Sequence, residues 1–359
     1  MADAFLKQAV DLIEHYRAAG YYPDAAYAVF TRDEILLRGA CGAANEDTWF
    51  DFASLTKLFT STAVLLLAQQ GAFALTDKLA PLLPQTAEYP VLRQRLGEIT
   101  LTQLLTHTSG LLPWYPFYTQ GGPFYPLLAK VLAANPAQSG MRYSDLNFIL
   151  LGKLVEEAAG LPLPQALAQL GLSTQERGPL YFTAQSPVPA RLRGPGCIAI
   201  SSYGNGAEET MCAARGLVFE GFRSKQQPVI GQANDGNCWY YFGGVSGHAG
   251  LFGPADALVA LGRRYLCAQS GLLVQAMQDV GVGRGLGFEC DAKYPEGCGH
   301  TGFTGTSLWL SPAHGVGMAL LTNRLATPGQ TTLPDLTQCR TQVHEAVLRA
   351  FLARQAKGE

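Results

Sequence analysis

The first residues of the chain alternate between apolar and polar positions with the period of an α-helix. Phe5, Leu6, Val10, Ile13 and Tyr16 recur at helical spacing, with charged residues between them. This pattern predicts an amphipathic helix within residues 1–20. The segment has neither the continuous apolar run nor the small-residue cleavage site of a secretory signal peptide, so we expect a cytoplasmic protein.

Short apolar runs near both ends of the chain predict β-strands. Residues 25–30 and 34–38 flank the polar triplet 31–33, which is the pattern of a β-hairpin. Residues 306–310 and 316–322 are two further apolar runs, and the Ser-Pro pair after the first of them predicts a turn. Strands are therefore expected from both ends of the chain.

Helical patterns dominate the region between these strands. Residues 56–70 are strongly periodic, and Gly71 is suited to cap the C-terminus of that helix. Residues 178–247 are rich in glycine and predict long loops with short strands. Further helices are predicted at 101–105, 127–134, 147–159 and 333–352.

This order of elements predicts an α/β (α+β) protein. Its antiparallel sheet is flanked by helices and built from both chain ends, with an all-α domain inserted between them. The expected division is a sheet domain of residues 1–75 plus 175–359 and a helical domain of residues 76–174. We expect the two parts to form a single catalytic unit with a ligand cleft where they meet.

Composition narrows the possible functions. The 359 residues are 48% hydrophobic and only 15% charged, which excludes a disordered chain. The 26 basic and 28 acidic residues give a net charge of −2, too little positive charge to predict nucleic-acid binding. No stretch approaches the ~18 apolar residues of a membrane span. An enzyme or a binding protein with a small-molecule partner remains, and its oligomeric state stays open.

The eight cysteines give little information about function. None forms a C-x-x-C pair, so zinc-knuckle and thioredoxin-type sites are not predicted. Because no signal peptide is recognised, we expect free thiols. Cys290 and Cys298 bracket a loop and are the pair to test if the protein is exported.

The first candidate for chemistry is an S-x-x-K pattern at the start of the periodic helix. Ser54 and Lys57 are three residues apart, so they share a helix face and the amine can approach the hydroxyl. A serine needs a neighbouring proton acceptor to become a nucleophile, and a desolvated lysine with a lowered pKa is one. A lone S-x-x-K is a weak signal, and a simple helix N-cap at Ser54 is the alternative.

Two other segments carry possible chemistry. Tyr143 is followed by Ser144, Asp145 and an apolar helical run, and a tyrosine acts as a general base if cations stabilise its phenolate. The segment H-T-G-F-T-G at 300–305 precedes a predicted strand, where small residues let a backbone amide approach a substrate carbonyl. A helix cap and a glycine-containing strand entry are the respective alternatives.

Together these three segments resemble the signature motifs of the serine β-lactamase and penicillin-binding-protein superfamily. More narrowly, the chain resembles the class C β-lactamase-like serine hydrolases, which include esterases and D-stereospecific peptidases. Similar segments at 50–53, 104–111 and 243–252 extend the resemblance over about residues 25–325. The resemblance implies a β-lactamase-like fold and acyl-enzyme chemistry that requires neither a metal nor an organic cofactor.

The resemblance also implies roles for individual residues. Ser54 corresponds to the nucleophile, Lys57 to its proton partner and Tyr143 to the base of the second motif. The backbone amides of Ser54 and Phe303 correspond to the oxyanion hole. Four residues correspond to positions that face the substrate: Asp145, His300, Thr301 and Gly302.

Two departures from the β-lactamase pattern affect the expected substrate. Asp145 stands where β-lactamases carry asparagine, and His300 stands where they carry lysine. A partly charged histidine and an added carboxylate hold a substrate carboxylate less well than a fixed cation does. We therefore expect an esterase-type hydrolase of small ester or amide substrates. A β-lactamase, a D-amino-acid peptidase or carboxypeptidase, and a non-catalytic binding protein that retains the fold remain as alternatives.

Several other features are weaker candidates. His107 and His248 are expected to be structural hydrogen-bonding residues rather than catalysts. The segment around Ser246 lacks the final glycine of G-x-S-x-G, and residues 281–286 lack the third glycine of G-x-G-x-x-G. The aromatic segment 114–118 is expected either to pack in the core or to line a substrate pocket.

Overall fold

The computed structural model describes residues 5–173, 178–330 and 332–357. Its α-helices are α1 Lys7–Ala18, α2 Thr56–Gln69, α3 Leu79–Leu82, α4 Pro90–Leu96, α5 Leu101–Leu105, α6 Phe124–Ala134, α7 Asp145–Ala159, α8 Leu163–Gln169, α9 Gly206–Ala213, α10 Ala255–Leu266, α11 Leu272–Ala276 and α12 Thr337–Ala356. Its β-strands are β1 Ala25–Thr31, β2 Ile35–Cys41, β3 Phe50–Asp51, β4 Leu180–Tyr181, β5 Ser202–Tyr203, β6 Pro228–Val229, β7 Leu251–Gly253, β8 Cys298–Thr301, β9 Ser307–Ser311 and β10 Val316–Thr322.

The main sheet joins the two ends of the chain. Its five strands follow the order β2-β1-β10-β9-β8, and every neighbouring pair is antiparallel. The central pairing sets Ala28 of β1 opposite Ala319 of β10. This topology confirms the predicted antiparallel sheet that is built from both chain ends and flanked by helices.

Helices cover both faces of this sheet. Tyr27 and Val29 of β1 belong to the core that contains buried residues of α1 and α12, whereas Ala28 and Phe30 belong to the larger core that contains α2 and α10. Because both faces are buried, β1 is a nearly continuous apolar run instead of an alternating one.

Helices α3 to α8 lie between β3 and β4 along the chain, in the region where a helical insertion is expected. Helix α2 is buried on nearly all sides, from Thr56 to Leu65, as expected for a helix with apolar residues around its whole circumference. The predicted boundary between residues 174 and 175 lies outside the described residues. The two-domain division therefore stays a prediction.

Most predicted elements are present, and three of the differences concern helices. The C-terminal helix begins at Thr337 instead of residue 333, because the Asp335 carboxylate accepts a hydrogen bond from the Thr337 amide at 2.9 Å and fixes the preceding turn. Helix α9 lies within a region for which only loops and short strands were predicted. Helix α10 was not predicted, although its apolar face packs beneath the sheet.

Two further observations concern membrane-spanning helices and disulfide bonds. Within the described residues, no helix combines the length and apolar character needed to cross a membrane. All eight cysteines, including Cys290 and Cys298, are free thiols.

Candidate active site

Ser54 lies at a strained turn between β3 and α2. Ala53, directly before it, has a φ of 46°, in the left-handed region that a non-glycine residue rarely adopts. The buried Asp51 carboxylate holds the turn by accepting hydrogen bonds from the Ala53 amide at 2.9 Å and the Asn234 amide at 2.7 Å. Such strain persists only where the surroundings impose it, and it concentrates at active sites. The turn leaves Ser54 partly exposed.

Two side chains converge on the Ser54 hydroxyl. Lys57 Nζ lies 2.9 Å from Ser54 Oγ, as expected for residues three apart on a helix. Tyr143 Oη lies 2.8 Å from the same oxygen, although it is 89 positions away in the sequence. A hydroxyl with two such partners has direct routes by which to lose and regain its proton.

Lys57 is fully buried, and its ammonium group contacts three hydrogen-bond acceptors. Besides Ser54 Oγ, its Nζ lies 2.8 Å from the Asp145 carboxylate and donates to the His248 backbone carbonyl at 2.9 Å. Burial alone would lower the pKa of Lys57, but Asp145 and Tyr143 outweigh it and raise the pKa above its usual value. Lys57 therefore lacks the lowered pKa that would let it accept the Ser54 proton, because the ion pair with Asp145 keeps it protonated.

Tyr143 is fixed by the loop that follows α5. His107 Nδ1 accepts a hydrogen bond from the Ser144 amide at 3.0 Å, and the centroids of the His107 and Tyr143 rings are 4.5 Å apart. His107 is thus a structural hydrogen-bonding residue, as predicted. Burial raises the pKa of Tyr143, Lys57 opposes that effect and Asp145 adds to it. Because the net shift is upward, Tyr143 is a neutral phenol at rest near neutral pH.

The loop after β8 is tied directly to the segment that precedes Ser54. The Thr304 hydroxyl donates to the Asp51 carbonyl at 2.7 Å, and the Thr306 hydroxyl donates to the Phe52 carbonyl at 3.0 Å. These bonds fix the loop that carries Phe303 relative to the serine turn.

Gly302 allows this loop to approach the serine segment closely. A Cβ atom at Gly302 would lie 2.5 Å from the Phe52 carbonyl oxygen, so a side chain there would force the two segments apart. Among the described residues, no acceptor pairs with the backbone amide of Phe303 or with that of Ser54. Two such amides are free to donate to a substrate oxygen, as an oxyanion hole requires.

The remaining substrate-facing candidates have different environments. His300 is 1% exposed, and its Nδ1 donates to the Thr301 carbonyl at 2.9 Å, because a carbonyl can only accept. Burial lowers the pKa of His300 to about 4, although Glu289 opposes this effect. The histidine is therefore neutral near pH 7 instead of partly charged as expected. Thr301 is partly exposed, and Asp145 lies against Lys57.

Arg284 lies beside the site but was not predicted as a site residue. Its guanidinium is 5.4 Å from the centroid of the Tyr143 ring, and Nη1 lies 3.3 Å from a Glu289 carboxylate oxygen. In the sequence, residues 281–286 match only an incomplete G-x-G-x-x-G pattern. No local pattern marks Arg284, because tertiary packing alone brings it to Tyr143.

A second hydrogen-bonded chain runs behind Lys57. Ser246 Oγ lies 2.7 Å from His248 Nδ1, and His248 Nε2 lies 2.9 Å from an Asp235 carboxylate oxygen. This chain has the composition of a catalytic triad, but Ser246 is only 6% exposed, which favours a structural role. His248 is structural, as expected, and its carbonyl positions Lys57.

One group of side chains has the composition of a metal site. Donor atoms of Asp145, Asp235 and His248 lie within 4.8 Å of one another. Asp145 already pairs with Lys57, and Asp235 already pairs with His248. A metal ion at this position would have to displace the Lys57 ammonium group from Asp145.

The aromatic segment 114–118 mostly packs in the interior. Trp114 and Tyr118 belong to a buried cluster with Cys212, and Phe117 belongs to the main core. Of the two expected roles, core packing therefore applies to these three side chains.

A serine flanked by a buried lysine and a tyrosine, at the start of a helix beside a five-stranded antiparallel sheet, is the arrangement of the serine acyl-enzyme hydrolases with a β-lactamase-like fold. The comparison with known families agrees with this class. The family model described as Beta-lactamase matches residues 9–338. The chain belongs to this family.

Individual relatives include several kinds of hydrolase. An N-acetylmuramyl-L-alanine amidase of Bacillus subtilis (strain 168) is 27% identical over 372 aligned positions, which cover 90% of this chain and 82% of the relative. A β-lactamase from Sulfitobacter sp. EE-36 has a TM-score of 0.69 and 17% identity, over 99% of each chain. A D-alanine carboxypeptidase from Burkholderia cenocepacia has a TM-score of 0.66 and 16% identity, over 96% of this chain and 100% of that one.

Proposed function

We propose that this chain hydrolyses small ester or amide substrates through an acyl-enzyme on Ser54. The strongest support is the convergence of Lys57 Nζ, at 2.9 Å, and Tyr143 Oη, at 2.8 Å, on Ser54 Oγ. Tyr143 is the general base and Lys57 is its charged partner. The amides of Ser54 and Phe303 bind the oxyanion.

The reactive form of this pair carries one proton fewer than the resting form. Tyr143 is then a phenolate beside the Lys57 ammonium, and it takes the Ser54 proton while Oγ attacks the substrate carbonyl carbon. The tetrahedral intermediate collapses as Tyr143 protonates the leaving atom and the bond from that atom to carbon breaks. A water molecule then attacks the ester, gives one proton to Tyr143 and releases the acyl group, and Ser54 Oγ takes that proton back.

The charges around the site favour acyl groups that carry no carboxylate. His300 is neutral near pH 7, so the third motif offers no fixed cation to a substrate anion. Asp145 adds a carboxylate next to Lys57, where β-lactamases carry a neutral asparagine. For these reasons, small neutral esters are the proposed substrates, and this is a carboxylesterase rather than a β-lactamase specificity.

Amide hydrolysis is the second candidate. The observation that favours it is the 27% identity to a relative named as an N-acetylmuramyl-L-alanine amidase. An amide leaving group departs as an amine, so it depends more strongly than an ester on protonation by Tyr143.

A panel of substrates tests the proposed specificity. Turnover of p-nitrophenyl esters, a D-alanyl-D-alanine peptide and the cephalosporin nitrocefin is measured with the Ser54→Ala variant as the blank. We expect ester turnover to exceed that of the other two and to fall to the blank level in the variant. Faster cleavage of the peptide would favour the amidase alternative, and faster cleavage of nitrocefin would favour a β-lactamase.

We propose that the two-part division positions this chemistry. Residues 1–75 plus 175–359 contribute Ser54 and Lys57, residues 76–174 contribute Tyr143, and the substrate binds at the seam between the two parts. We also propose a cytoplasmic location, which the eight free thiols support.

The substitution Asp145→Asn is expected to move the pH profile to lower pH. The Asp145 carboxylate raises the pKa of both Lys57 and Tyr143, so its removal lowers both values and the reactive form of the pair appears at lower pH. In the pH profile of kcat/KM for a neutral ester, we expect the acidic limb to move to lower pH by about one unit, so that activity at pH 7 rises. A loss of activity at every pH would instead make Asp145 an obligatory proton acceptor.

A further inference from the structure

Arg284 is a buried cation that packs against the proposed base. Its guanidinium lies 5.4 Å from the centroid of the Tyr143 ring, and the residue is only 8% exposed. The backbone amide of Arg284 donates to the Asp279 carboxylate at 3.0 Å, which fixes the start of the side chain. The cation therefore has a defined position next to the ring.

The positive charge of Arg284 is only partly compensated. Nη1 lies 3.3 Å from Glu289 but has no hydrogen-bond partner among the described residues. Glu289 is shared with Lys293, with which it forms an ion pair, and with the Tyr294 hydroxyl, which donates to it at 3.0 Å. Part of the positive charge of the Arg284 guanidinium is therefore left to act on Tyr143.

Lys57 is the other cation beside Tyr143, and Asp145 offsets part of its charge. Lys57 Nζ lies 5.0 Å from the centroid of the ring and 2.8 Å from the Asp145 carboxylate. Burial lowers the pKa of both His107 and His300, so each is neutral near pH 7. The groups that face Tyr143 are therefore Ser54, Lys57, Asp145, His107, His300 and Arg284.

We propose that Arg284 adds a second positive charge to that of Lys57 and so stabilises the Tyr143 phenolate while Ser54 loses its proton. A phenolate spreads negative charge into its ring, so a cation near that ring stabilises the ionised form more than the neutral one. This inference rests on the proposed function of Tyr143 as the base. Arg284 is then a positioning residue that acts through Tyr143. Its guanidinium supplies a positive charge that the neutral His300 does not.

The pH dependence of acylation tests this role. The wild-type protein, Arg284→Met and Arg284→Lys react with a neutral p-nitrophenyl ester and with a fluorophosphonate across a range of pH. In Arg284→Met we expect the acidic limb to move up by about one to two pH units, and the rates to approach the wild-type value at higher pH. In Arg284→Lys we expect the acidic limb to stay close to its wild-type position, because the positive charge is kept. Arg215→Met is the matched control, since Arg215 lies 5.1 Å from the Trp114 ring in an exposed position.

Two results would overturn the proposal. One is an unchanged acidic limb in Arg284→Met. The other is a rise in KM that is confined to substrates with a carboxylate, which would make Arg284 a substrate-binding residue. If Arg284→Met does not fold, the neutral variant Arg284→Gln is used instead. Ionisation of Tyr143 is then followed by tyrosinate absorbance during a pH titration, as the difference between each protein and its Tyr143→Phe counterpart. Tyr143 ionising at no higher pH in Arg284→Gln than in the wild type would contradict the role.

The proposed function itself fails in a different way. Ester turnover that persists in Ser54→Ala would exclude the acyl-enzyme, whatever Arg284 does. An Arg284→Met profile like that of the wild type, with Ser54→Ala inactive, would instead remove only the inference about Arg284.

Discussion

Replacing Lys57 by methionine is expected to lower kcat/KM for a neutral ester by about a thousandfold at pH 7. The change removes the ammonium group that contacts Ser54 Oγ, Asp145 and the His248 carbonyl, while it keeps an unbranched side chain of similar length. General acid–base groups contribute about 10²–10⁴-fold, and a thousandfold loss corresponds to about 4 kcal/mol of transition-state stabilisation. Steady-state ester hydrolysis measures the effect.

The matched control for this variant is Lys153→Met. Lys153 lies on α7 and pairs with Glu156 at 2.8 Å, the same distance that separates Lys57 from Asp145, but both members of the Lys153–Glu156 pair are partly exposed. We expect it to keep wild-type activity, and a thermal unfolding curve shows whether Lys57→Met is folded. Ester hydrolysis within tenfold of wild type in a folded Lys57→Met would contradict the role of Lys57 in proton transfer.

Replacing Tyr143 by phenylalanine is expected to lower kcat by about 10²–10³-fold with little change in KM. The substitution removes the hydroxyl that lies 2.8 Å from Ser54 Oγ and keeps the ring that packs 4.5 Å from His107. The proton-transfer step therefore loses its base while the shape of the site is retained.

A tyrosine on the other face of the main sheet provides the control. The Tyr16 hydroxyl donates to Gln342 at 2.9 Å within the core formed by α1 and α12, so Tyr16→Phe removes a comparable hydrogen bond. It should leave kcat unchanged. A Tyr143→Phe variant within fivefold of wild type would show that another group takes the Ser54 proton.

Local sequence patterns were sufficient for the fold and for the contact between Ser54 and Lys57. Helical spacing brings Lys57 to Ser54 because both lie at the start of one helix, and the terminal strand patterns predict a sheet that joins both chain ends. Tyr143 was found through the order of three motifs along the chain. Its distance from Ser54 follows only from the packing of α7 against α2.

The electrostatics of the site were harder to predict. The pKa of Lys57 depends on Asp145, which belongs to a different helix, and the neutral state of His300 depends on its burial at the end of β8. Arg284 acts on Tyr143 across a tertiary contact that no local motif records. Charge balance in a buried site is the sum of such long-range neighbours, so the sequence motifs pointed to Ser54, Lys57 and Tyr143 but neither to Arg284 nor to the protonation states.

The order of motifs also did not reveal the second serine near the site. Ser246, His248 and Asp235 form a hydrogen-bonded chain that resembles a catalytic triad, although the sequence around Ser246 lacks the expected glycine pattern. Burial of Ser246 favours a structural role. A direct test of the nucleophile must therefore distinguish Ser54 from Ser246.

Covalent labelling is the most direct test of the claim that Ser54 forms the acyl-enzyme. The wild type, Ser54→Ala and Ser246→Ala are treated with a fluorophosphonate and analysed by intact-mass and peptide mass spectrometry. The proposed chemistry predicts one adduct on Ser54 in the wild type, the same adduct in Ser246→Ala and none in Ser54→Ala. An adduct that persists in Ser54→Ala, or that maps to Ser246, would contradict it.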